Sequence, residues 1–425
     1  MTLLEALSDA QIWEAFYLYK TSLICSKQEE KDLRAFIERE AYAPVVRRIE
    51  RGEPFPLPRR TVISKMHSGK KRIVYTYPEP ENTTLKLLTW LLLRRYDELF
   101  SRGLYSFRPG RTAKDAIRTL LAIPGIDRMY AYKVDISNYF NSVDPERFLP
   151  ILERALAEET ELYRFLSALL LEPEVLDGAK RITEKKGIMA GTPQSSFFAN
   201  LFLRDVDLLF CAESTPYARY SDDIILFAET EDELDVKAQQ LRERLTQKGL
   251  SVNPSKECRF DPSSGWSFLG FFCRNGRIDV APATLEKLKA KMRRKTRALM
   301  RWRDRTGHSG EQAAAAFIRV FNRKLLERPL DRELSWSHWF FSVINTTDSL
   351  RIIDRYAQDC LRTLISGTRT KARYNVRYED LKALGYKSLV HAYYSFEKEE
   401  KNGRLRTAEE SETETERKRN GDGAL

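Results

Sequence analysis

The feature that most constrains this chain is a short segment, Tyr217–Ala228, whose centre carries two adjacent aspartates. Strand-forming residues flank Ser221-Asp222-Asp223 on both sides, so the segment predicts a β-hairpin with both carboxylates at its corner. Taken alone, an Asp pair in a turn is more often a solvated structural feature than a centre of chemistry.

A third carboxylate elsewhere in the chain changes that interpretation. The run 128–135 reads as a strand that ends in Asp135 and leads into Asn138-Tyr139-Phe140. A strand ending in Asp, beside a hairpin with Asp-Asp at its corner, can bring three carboxylates together around divalent cations. With two Mg²⁺ roughly 4 Å apart, such a cluster is the site of an in-line phosphoryl transfer.

Composition and charge narrow the class of protein. The chain has 425 residues, enough for two to four packed lobes, and a net charge of +11 that favours a polyanionic partner. Five scattered cysteines and four unclustered histidines argue against a zinc or histidine metal site and favour a reducing compartment. The longest apolar run is too short for a bilayer and no signal-peptide pattern is present, so we expect a cytoplasmic protein without a membrane partner.

Periodicity and turn signals predict a mixed chain with a β-rich centre and a helical C-terminal part. The order strand, helix, Asp-Asp hairpin, helix, strand matches a split βαβ layout of ferredoxin type. A strand pair is predicted over Thr61–Tyr77 around a Ser68-Gly69 turn, and the charged stretch from 401 onward is predicted to be disordered. The main predicted helices are about 82–100, 194–212, 231–248, 284–305, 310–327, 348–365 and 376–399.

An ordered set of motifs between about 60 and 275 resembles the reverse transcriptases of the bacterial group II intron, retron and defence-associated lineage. The segments that carry the resemblance are Tyr105-Ser-Phe-Arg-Pro-Gly-Arg111, Asp135-Ile-Ser-Asn-Tyr-Phe140, Tyr220-Ser-Asp-Asp223, Asn253-Pro-Ser-Lys256 and Phe268-Leu-Gly-Phe271. The resemblance implies an α+β right-hand polymerase fold with fingers, a ferredoxin-like palm and an all-helical thumb. The implied divisions are an N-terminal helical extension (1–58), fingers (59–128 and 161–186), palm (129–160 and 187–275), thumb (276–400) and a disordered tail (401–425).

One segment departs from the pattern of this family. The family usually has Gly-x-Pro-Gln-Gly before a Ser-Pro pair, whereas Gly187-Ile-Met-Ala-Gly191 aligns without a gap and places Met189 and Ala190 at the Pro-Gln positions. Ser196 replaces the second proline. The departure points away from mobile-intron enzymes and toward the divergent, stand-alone defence-associated branch.

The resemblance also assigns roles around the carboxylates. It implies that Asp135 and Asp222 bind two Mg²⁺, for which Mn²⁺ can substitute, with Asp223 as an auxiliary ligand and Ile136 contributing to metal binding. One ion would lower the pKa of the primer 3′-hydroxyl, and the other would hold the triphosphate and the leaving pyrophosphate. The implied catalytic residues are the three aspartates.

Further residues are implied to contact nucleotide and nucleic acid. Phe140 would lie under the sugar of the incoming dNTP and exclude a 2′-hydroxyl, and Lys256 would act as a general acid on pyrophosphate. The other implied nucleotide-binding residues are Lys71, Arg72 and Gly191. The implied primer- or template-binding residues are Arg108, Tyr220, Ser221, Leu269 and Gly270. Independently of the resemblance, a dense basic run over 287–305, whose charge is spread around its helix, predicts RNA contacts by Arg293, Arg294 and Arg297 on one side, while another side is only solvated.

The function implied is that of an RNA-directed DNA polymerase that copies a dedicated structured non-coding RNA into cDNA from dNTPs, in antiphage defence. A template-independent or protein-primed DNA polymerase of the same fold is an alternative that keeps the same carboxylates, and a non-enzymatic RNA-binding scaffold is another. The sequence leaves the identity of the template, the priming mode, the trigger and the oligomeric state open.

Overall fold

The computed structural model describes residues 1–23, 25–64, 71–327, 335–400 and 402. The chain divides into two compact units, Met1–Leu269 and Gly270–Leu425. The predicted Ser68-Gly69 turn lies outside the described residues, and so does the predicted tail apart from residue 402. No helix in the described ranges is long and apolar enough to cross a membrane.

The described residues form short strands and helices of very different lengths. The strands are β1 (Arg59–Ser64), β2 (Lys71–Thr76), β3 (Tyr130–Asp135), β4 (Glu174–Asp177), β5 (Lys180–Thr183), β6 (Tyr217–Tyr220), β7 (Asp223–Ala228), β8 (Cys258–Phe260), β9 (Trp266–Phe268), β10 (Phe271–Arg274) and β11 (Arg277–Val280). The helices up to Leu171 are α1 (Leu3–Ala6), α2 (Ala10–Ser22), α3 (Lys27–Glu38), α4 (Ala43–Glu50), α5 (Glu79–Arg95), α6 (Ala113–Leu121), α7 (Tyr139–Ser142), α8 (Pro145–Ala155) and α9 (Thr160–Leu171). The later helices are α10 (Ser195–Phe202), α11 (Arg204–Ala212), α12 (Glu231–Gln247), α13 (Pro282–Thr306), α14 (Gly310–Leu325), α15 (Trp336–Phe341), α16 (Asp348–Ser366), α17 (Tyr378–Ala383) and α18 (389–400).

The first unit carries an N-terminal helical layer held by an aromatic cluster. Trp13 on α2 is fully buried, stacks on Tyr42 with ring centroids 4.6 Å apart, and donates its indole N–H to Leu7 O at 2.8 Å. Phe16 on the same helix packs edge-on against Trp90 of α5 at 5.7 Å. Burying these large rings against α5 ties the N-terminal helices to the body of the unit.

Two four-stranded sheets organise the rest of the first unit. One has the order β2-β1-β4-β5, with β1 antiparallel to β2 and parallel to β4. The other has the order β6-β7-β3-β8, with antiparallel neighbours throughout, and its register pairs Asp135 with Asp223. The hairpin predicted at Tyr217–Ala228 is therefore confirmed, and it lies beside the strand that ends in Asp135.

The long helix predicted over 194–212 is two helices. Leu203 has φ −101° and ψ 9°, outside helical geometry, and it separates α10 from α11. The next residue, Arg204, donates its Nε–H to Leu99 O at 2.6 Å, so the chain turns to make a contact that sequence periodicity does not contain.

The second unit opens with a hairpin that the prediction of an all-helical segment from 276 did not include. Strands β10 and β11 pair antiparallel around Asn275-Gly276, both of which have positive φ (48° and 71°). An Asn-Gly pair between two apolar runs is a strong short-range signal for a two-residue hairpin turn. Segment 276–400 therefore begins with a strand before its helices start.

The predicted helix 376–399 is interrupted, and a buried carboxylate organises the interruption. Asp354 on α16 is 5% exposed and accepts hydrogen bonds from the hydroxyls of Tyr386 (2.7 Å) and Ser388 (2.6 Å). It also accepts the backbone N–H groups of Leu389 (2.9 Å) and Val390 (3.1 Å), which are the first turn of α18. A carboxylate that satisfies the donors of a helix N-terminus fixes where that helix starts.

Candidate active site

The carboxylate cluster forms at one edge of the β6-β7-β3-β8 sheet. Each of Asp135, Asp222 and Asp223 offers a carboxylate oxygen, and these oxygens all lie within 4.8 Å of one another. Asp135 ends β3, Asp223 begins β7 opposite it, and the backbone N–H of Ile136 donates to Asp222 O at 3.0 Å. The structure thus brings together three side chains that are separated by nearly ninety positions in the sequence.

The turn that carries Asp222 has an unusual backbone that is held from both sides. Ser221 adopts φ +60°, a left-handed conformation that is uncommon for a residue with a side chain. Its backbone N–H donates to Ser106 Oγ at 2.8 Å, and its carbonyl accepts from the Arg219 guanidinium at 3.2 Å. Ser106 is fixed in turn by Asn200, whose amide donates to Ser106 O at 2.8 Å and accepts from Ser106 Oγ at 3.2 Å.

A fully buried ion pair lies directly beneath this turn. Arg219 and Asp207 are both 0% exposed, and their side chains make two hydrogen bonds of 2.7 and 2.6 Å. The hydroxyl of Tyr217 donates to the same carboxylate at 2.8 Å, and Arg219 also donates to Asn200 O at 3.2 Å. The site prediction did not include Arg219, Asp207 or Ser106. A basic residue in the strand that enters the Asp-Asp corner was the one available signal.

Burial and mutual repulsion shape the protonation of the cluster. Burial, followed by the charges of Asp222 and Asp135, raises the pKa of Asp223 to about 6. Burial and the charge of Asp135 also raise the pKa of Asp222, while the charges of Lys256 and Arg72 act in the opposite direction. The cluster therefore binds protons more readily than separate carboxylates would.

Asp135 has two partners from the segment that follows α12. The Lys256 ammonium donates to its carboxylate, and Asn253 donates its backbone N–H to Asp135 O (2.8 Å) and its amide to Asp135 Oδ1 (3.3 Å). Partial burial would lower the pKa of Lys256, but the hydrogen bond to Asp135 and the charges of the cluster outweigh it and raise that pKa. Asn253 was quoted in a motif but not assigned to the site, although it fixes both the backbone and the side chain of Asp135.

The donor set fits a divalent cation with oxygen ligands. Three carboxylates whose oxygens lie within 4.8 Å repel one another, and burial together with this repulsion raises the pKa values of Asp222 and Asp223. Hard cations such as Mg²⁺ take carboxylate oxygens as ligands and remove this cost. Among the described residues, these three form the one group of His, Cys, Asp and Glu side chains that could hold a metal ion.

Phe140 lies in α7, the short helix that follows β3. Its ring is half-buried and packs edge-on against Phe107, with ring centroids 6.4 Å apart. Its carbonyl accepts the backbone N–H of Ile188 at 2.8 Å. Gly187 has φ +57°, and a Cβ there would collide with the backbone of Phe140 and Asn141, so only glycine fits at this approach.

Segment 187–191, which departs from the family pattern, is a buried turn held by hydrogen bonds of its backbone. Met189 is 0% exposed with φ +57°, and Ala190 is 2% exposed. The Ala190 carbonyl accepts the backbone N–H of Tyr75 on β2 at 2.8 Å, and its own N–H donates to Asn141 Oδ1 at 3.2 Å. Gly191 has φ +103°, and a Cβ there would lie 2.9 Å from Tyr75 O. The close approach at Gly191 is thus to strand β2, and its predicted contact with nucleotide stays a prediction.

The remaining residues of the first unit that were predicted to bind nucleotide or nucleic acid have different surroundings. Arg72 and Lys71 are exposed on β2, and Arg72 is close enough for its charge to lower the pKa of Asp222. Arg108 is 8% exposed, and its guanidinium binds the carboxylate of Asp97 at 2.7 and 2.8 Å. These contacts fix the loop that carries Arg108, and its role in primer or template binding stays a prediction. Tyr220 is half-buried, and burial raises the pKa of its hydroxyl.

In the second unit, the exposed basic residues of α13 lie on one side of the helix. Five exposed basic residues recur at spacings of three, four and seven, which places them on one face of the helix: Lys287, Lys291, Arg294, Arg301 and Arg305. Two more exposed residues, Arg293 and Arg297, lie along the edge of that face. Leu285, Met292, Thr296 and Leu299 are buried on the opposite face. Lys289, Lys295 and Arg303 of the same run are half-buried and lie outside this face, so the whole run is spread around the helix while its exposed members share one side. Leu269 and Gly270, predicted to contact the primer, have φ of +49° and +91°, as the predicted tight turn requires.

We expect the stabilisation of the protein by Mg²⁺ to increase with pH. The pKa of Asp223 is raised from an ordinary 3.8 to about 6, so without metal its contribution to stability is full below about pH 3.8 and is lost as pH rises through about 6. Metal binding needs the ionised carboxylates and offsets the repulsion that ionisation creates. The increase in melting temperature on adding Mg²⁺, measured by differential scanning fluorimetry, should be small at pH 5 and larger at pH 7.5. Asp223→Asn should flatten this pH dependence, and an equal Mg²⁺ effect at both pH values would contradict the assignment.

Comparison with solved structures finds telomerases of two yeasts. Apo telomerase from Candida tropicalis, truncated from its C-terminal domain, is 12% identical with a TM-score of 0.44, and the match covers 53% of this chain and 55% of that one. Telomerase from Candida albicans in complex with a fragment of telomeric RNA is 11% identical with a TM-score of 0.44, covering 83% of this chain and 71% of that one. The chain thus spans little more than half of the first of these. A comparison with curated proteins finds no match.

The family comparison covers the segment that contains the whole carboxylate cluster. Residues 63–273 match the family model described as reverse transcriptase (RNA-dependent DNA polymerase). This range contains every motif of the ordered set described above, together with the edge of the β6-β7-β3-β8 sheet that carries Asp135 and Asp222. Residues 63–273, just under half of the chain, are therefore similar to the reverse transcriptases, a family of RNA-directed DNA polymerases.

Proposed function

We propose that this protein is an RNA-directed DNA polymerase, a nucleotidyltransferase, that copies a dedicated, structured non-coding RNA into cDNA from dNTPs by two-metal-ion transfer, and that it serves in antiphage defence. The observation that carries the chemistry is the convergence of Asp135, Asp222 and Asp223 within 4.8 Å inside a reverse transcriptase domain. The RNA partner is supported by the RNA-directed class of that domain and by the net charge of +11.

Each residue of the cluster has a distinct task in this proposal. Asp135 and Asp222 would hold two Mg²⁺, with Asp223 as an auxiliary ligand and Ile136 beside them. The bound ions would supply activation of the primer 3′-hydroxyl and neutralisation of the triphosphate. Lys256 keeps a proton on Nζ at neutral pH, since its pKa is raised, and can donate that proton to the leaving pyrophosphate.

Residues outside the cluster would select the sugar of the nucleotide and bind the triphosphate and the nucleic acid. Phe140, whose ring is half-buried in α7, would exclude a 2′-hydroxyl, and Arg72 would contact the triphosphate through its planar guanidinium. The exposed basic face of α13 is suited to nucleic-acid phosphates, whose neutralisation makes binding dependent on salt. The primer or template contacts proposed for Tyr220, Ser221, Leu269 and Gly270 follow from their motif positions.

The defence role rests on the segment 187–191. Its Met189-Ala190 pair departs from the Pro-Gln of mobile-intron enzymes and resembles the divergent branch of stand-alone, defence-associated reverse transcriptases. We propose that the protein acts in the cytoplasm, where a partner RNA and phage nucleic acid are both accessible.

Replacing one metal ligand should separate synthesis from binding. Asp222→Asn keeps the size of the side chain but removes a charge, so DNA synthesis on a primed RNA template with Mg²⁺ should fall on the order of 10³-fold. Affinity for the RNA, measured in EDTA, should not change. Asp232→Asn, an exposed position at the start of α12, is the matched control and should retain activity. Normal synthesis by Asp222→Asn would remove the proposed mechanism.

Shortening the side chain at position 140 should relax sugar selection. Phe140→Ala removes the ring proposed to clash with a 2′-hydroxyl, so the ratio of kcat/KM for dNTP to that for the matching rNTP should fall about 10- to 100-fold. Phe140→Tyr keeps the ring and should keep the discrimination. If Phe140→Ala incorporates no more ribonucleotide than the unaltered enzyme does, another residue must select the sugar.

Sequencing the nucleic acids that co-purify with the protein tests the partner. We expect one structured RNA to be strongly enriched over cellular RNA, together with DNA complementary to part of it. An RNA population without enrichment would contradict the dedicated partner. DNA of unrelated sequence would indicate a template-independent polymerase, and DNA linked covalently to a tyrosine would indicate protein priming.

A further inference from the structure

Phe107, in the segment between α5 and α6, has a backbone conformation that its residue type rarely adopts. Its φ is +58°, in the left-handed region, and the residue is 41% exposed. For a bulky side chain such a φ is an outlier that persists only where the surrounding structure enforces it. Residues strained in this way cluster at functional sites. The chain therefore holds a large apolar ring at the surface against its conformational preference.

The residue before Phe107 is fixed to the turn that carries Asp222. Ser106 is fully buried, and its hydroxyl accepts the backbone N–H of Ser221 at 2.8 Å and donates to Asn200 Oδ1 at 3.2 Å. The Asn200 amide donates back to Ser106 O at 2.8 Å. The chain therefore cannot shift at this end without breaking buried hydrogen bonds.

The residue after Phe107 is fixed by an ion pair and by backbone carbonyls. The guanidinium of Arg108 donates to the Asp97 carboxylate at 2.7 and 2.8 Å. It also donates to Ser101 O at 2.7 Å and to Leu104 O at 3.3 Å, and its side chain is buried. Because both of its neighbours are fixed, Phe107 cannot relax to an ordinary φ, and the direction of its side chain is set by the loop.

The ring of Phe107 contacts the ring of Phe140. Their centroids lie 6.4 Å apart and their planes cross at 85°, which is an edge-to-face contact. The ring of Tyr139 also contacts Phe140, with centroids 5.6 Å apart. Tyr139 is buried, and its hydroxyl donates to Ala199 O at 2.6 Å. Among the described residues, these two are the aromatic rings that pack on Phe140.

The contacts of the main chain leave the side chain of Phe140 free to rotate. The Phe140 carbonyl accepts the N–H of Ile188 at 2.8 Å, and Gly187 packs against the same backbone. Rotation of the ring is then limited by its two aromatic neighbours, Tyr139 in the core and Phe107 at the surface. A side chain that selects a substrate by its bulk needs such support, because its rotamer must be held by packing.

We propose that Phe107 is a positioning residue for sugar selection: its enforced left-handed backbone holds its ring against Phe140 and keeps the Phe140 ring where it would exclude a 2′-hydroxyl. The inference rests on the proposed function, from which it takes the role of Phe140. It makes the loop 104–111 a determinant of nucleotide choice, and it requires residue 107 to act through Phe140 and not on the nucleotide.

The test measures sugar discrimination in single and double variants of the full chain. Phe107→Asn removes the ring and introduces a residue that tolerates the left-handed region. The ratio of kcat/KM for dNTP to that for the matching rNTP should fall about tenfold. Adding Phe107→Asn to Phe140→Ala should lower the ratio no further, because the ring to be positioned is already absent. Phe107→Tyr keeps the ring and should keep the ratio.

Ser214→Asn is the matched control. Ser214 is exposed, has a φ of +55° and follows α11, so the same residue enters the same backbone conformation outside the loop. Its discrimination ratio should equal that of the unaltered chain. A lower melting temperature of Phe107→Asn, together with equal losses of dNTP and rNTP incorporation, would show that Phe107 only packs the loop and would overturn the proposal.

A measurement without catalysis reports the mobility of the Phe140 ring. Para-fluorophenylalanine incorporated at position 140 gives one fluorine NMR signal, whose line narrows when the ring gains motion. The line should narrow in Phe107→Asn and stay unchanged in Ser214→Asn. An unchanged line in Phe107→Asn would overturn the proposal whether or not the protein is an active polymerase.

Failure of this inference and failure of the proposed function give different results. If Phe107 does not position the ring, Phe107→Asn keeps the ratio and the line width, while Phe140→Ala still lowers the ratio. If Phe140 does not select the sugar, Phe140→Ala keeps the ratio, whereas the line still narrows in Phe107→Asn. If the two losses multiply in the double variant, Phe107 contacts the nucleotide itself and the positioning role is wrong.

Discussion

The structure of the first unit depends on holding three carboxylates within 4.8 Å of one another against their mutual repulsion. A polypeptide without support would relieve that repulsion by moving the chain, because each ionised pair in a poorly solvated site opposes the others. The supports are the partners behind the cluster. Asn253 and Lys256 fix Asp135, and a hydrogen bond from the Ser221 N–H to Ser106 and one from Arg219 to the Ser221 carbonyl hold the turn in its left-handed conformation. A divalent cation would neutralise the negative charge that these partners leave on the three carboxylates.

The need to support the Ser221 turn gives a reason for the fully buried ion pair of Arg219 and Asp207. Burying Arg219 and Asp207 is expensive unless both are fully hydrogen-bonded. Here the guanidinium reaches Asp207, Ser221 O and Asn200 O, and Tyr217 adds a donor to the carboxylate. The pair therefore contributes geometry as much as stability. It joins α11 to β6, the strand that ends at the Ser221 turn.

Sequence patterns predicted the parts of this site that are local in the chain. The hairpin around Asp222 follows from turn and strand propensities, and α12 was placed within a residue of its observed end because its cap and its periodicity agree. The partners across the fold were not predictable in this way. Asp207 lies on a helix twelve residues before Arg219, and Ser106 approaches Ser221 from more than a hundred residues away. Polar residues at such positions look like ordinary surface residues until the fold buries them. The β10–β11 hairpin, by contrast, had a readable Asn275-Gly276 signal.

Segment 187–191 shows how a motif can keep its backbone conformation although two of its side chains differ from the family pattern. The contacts that define the turn are made by the main chain: Ile188 N–H to Phe140 O, Tyr75 N–H to Ala190 O, and the close approaches that require glycine at positions 187 and 191. None of these contacts depends on which side chains stand at 189 and 190, so Met189 can pack into the core instead of presenting a polar group. The turn still couples β2, which carries Arg72, to the segment that carries Phe140.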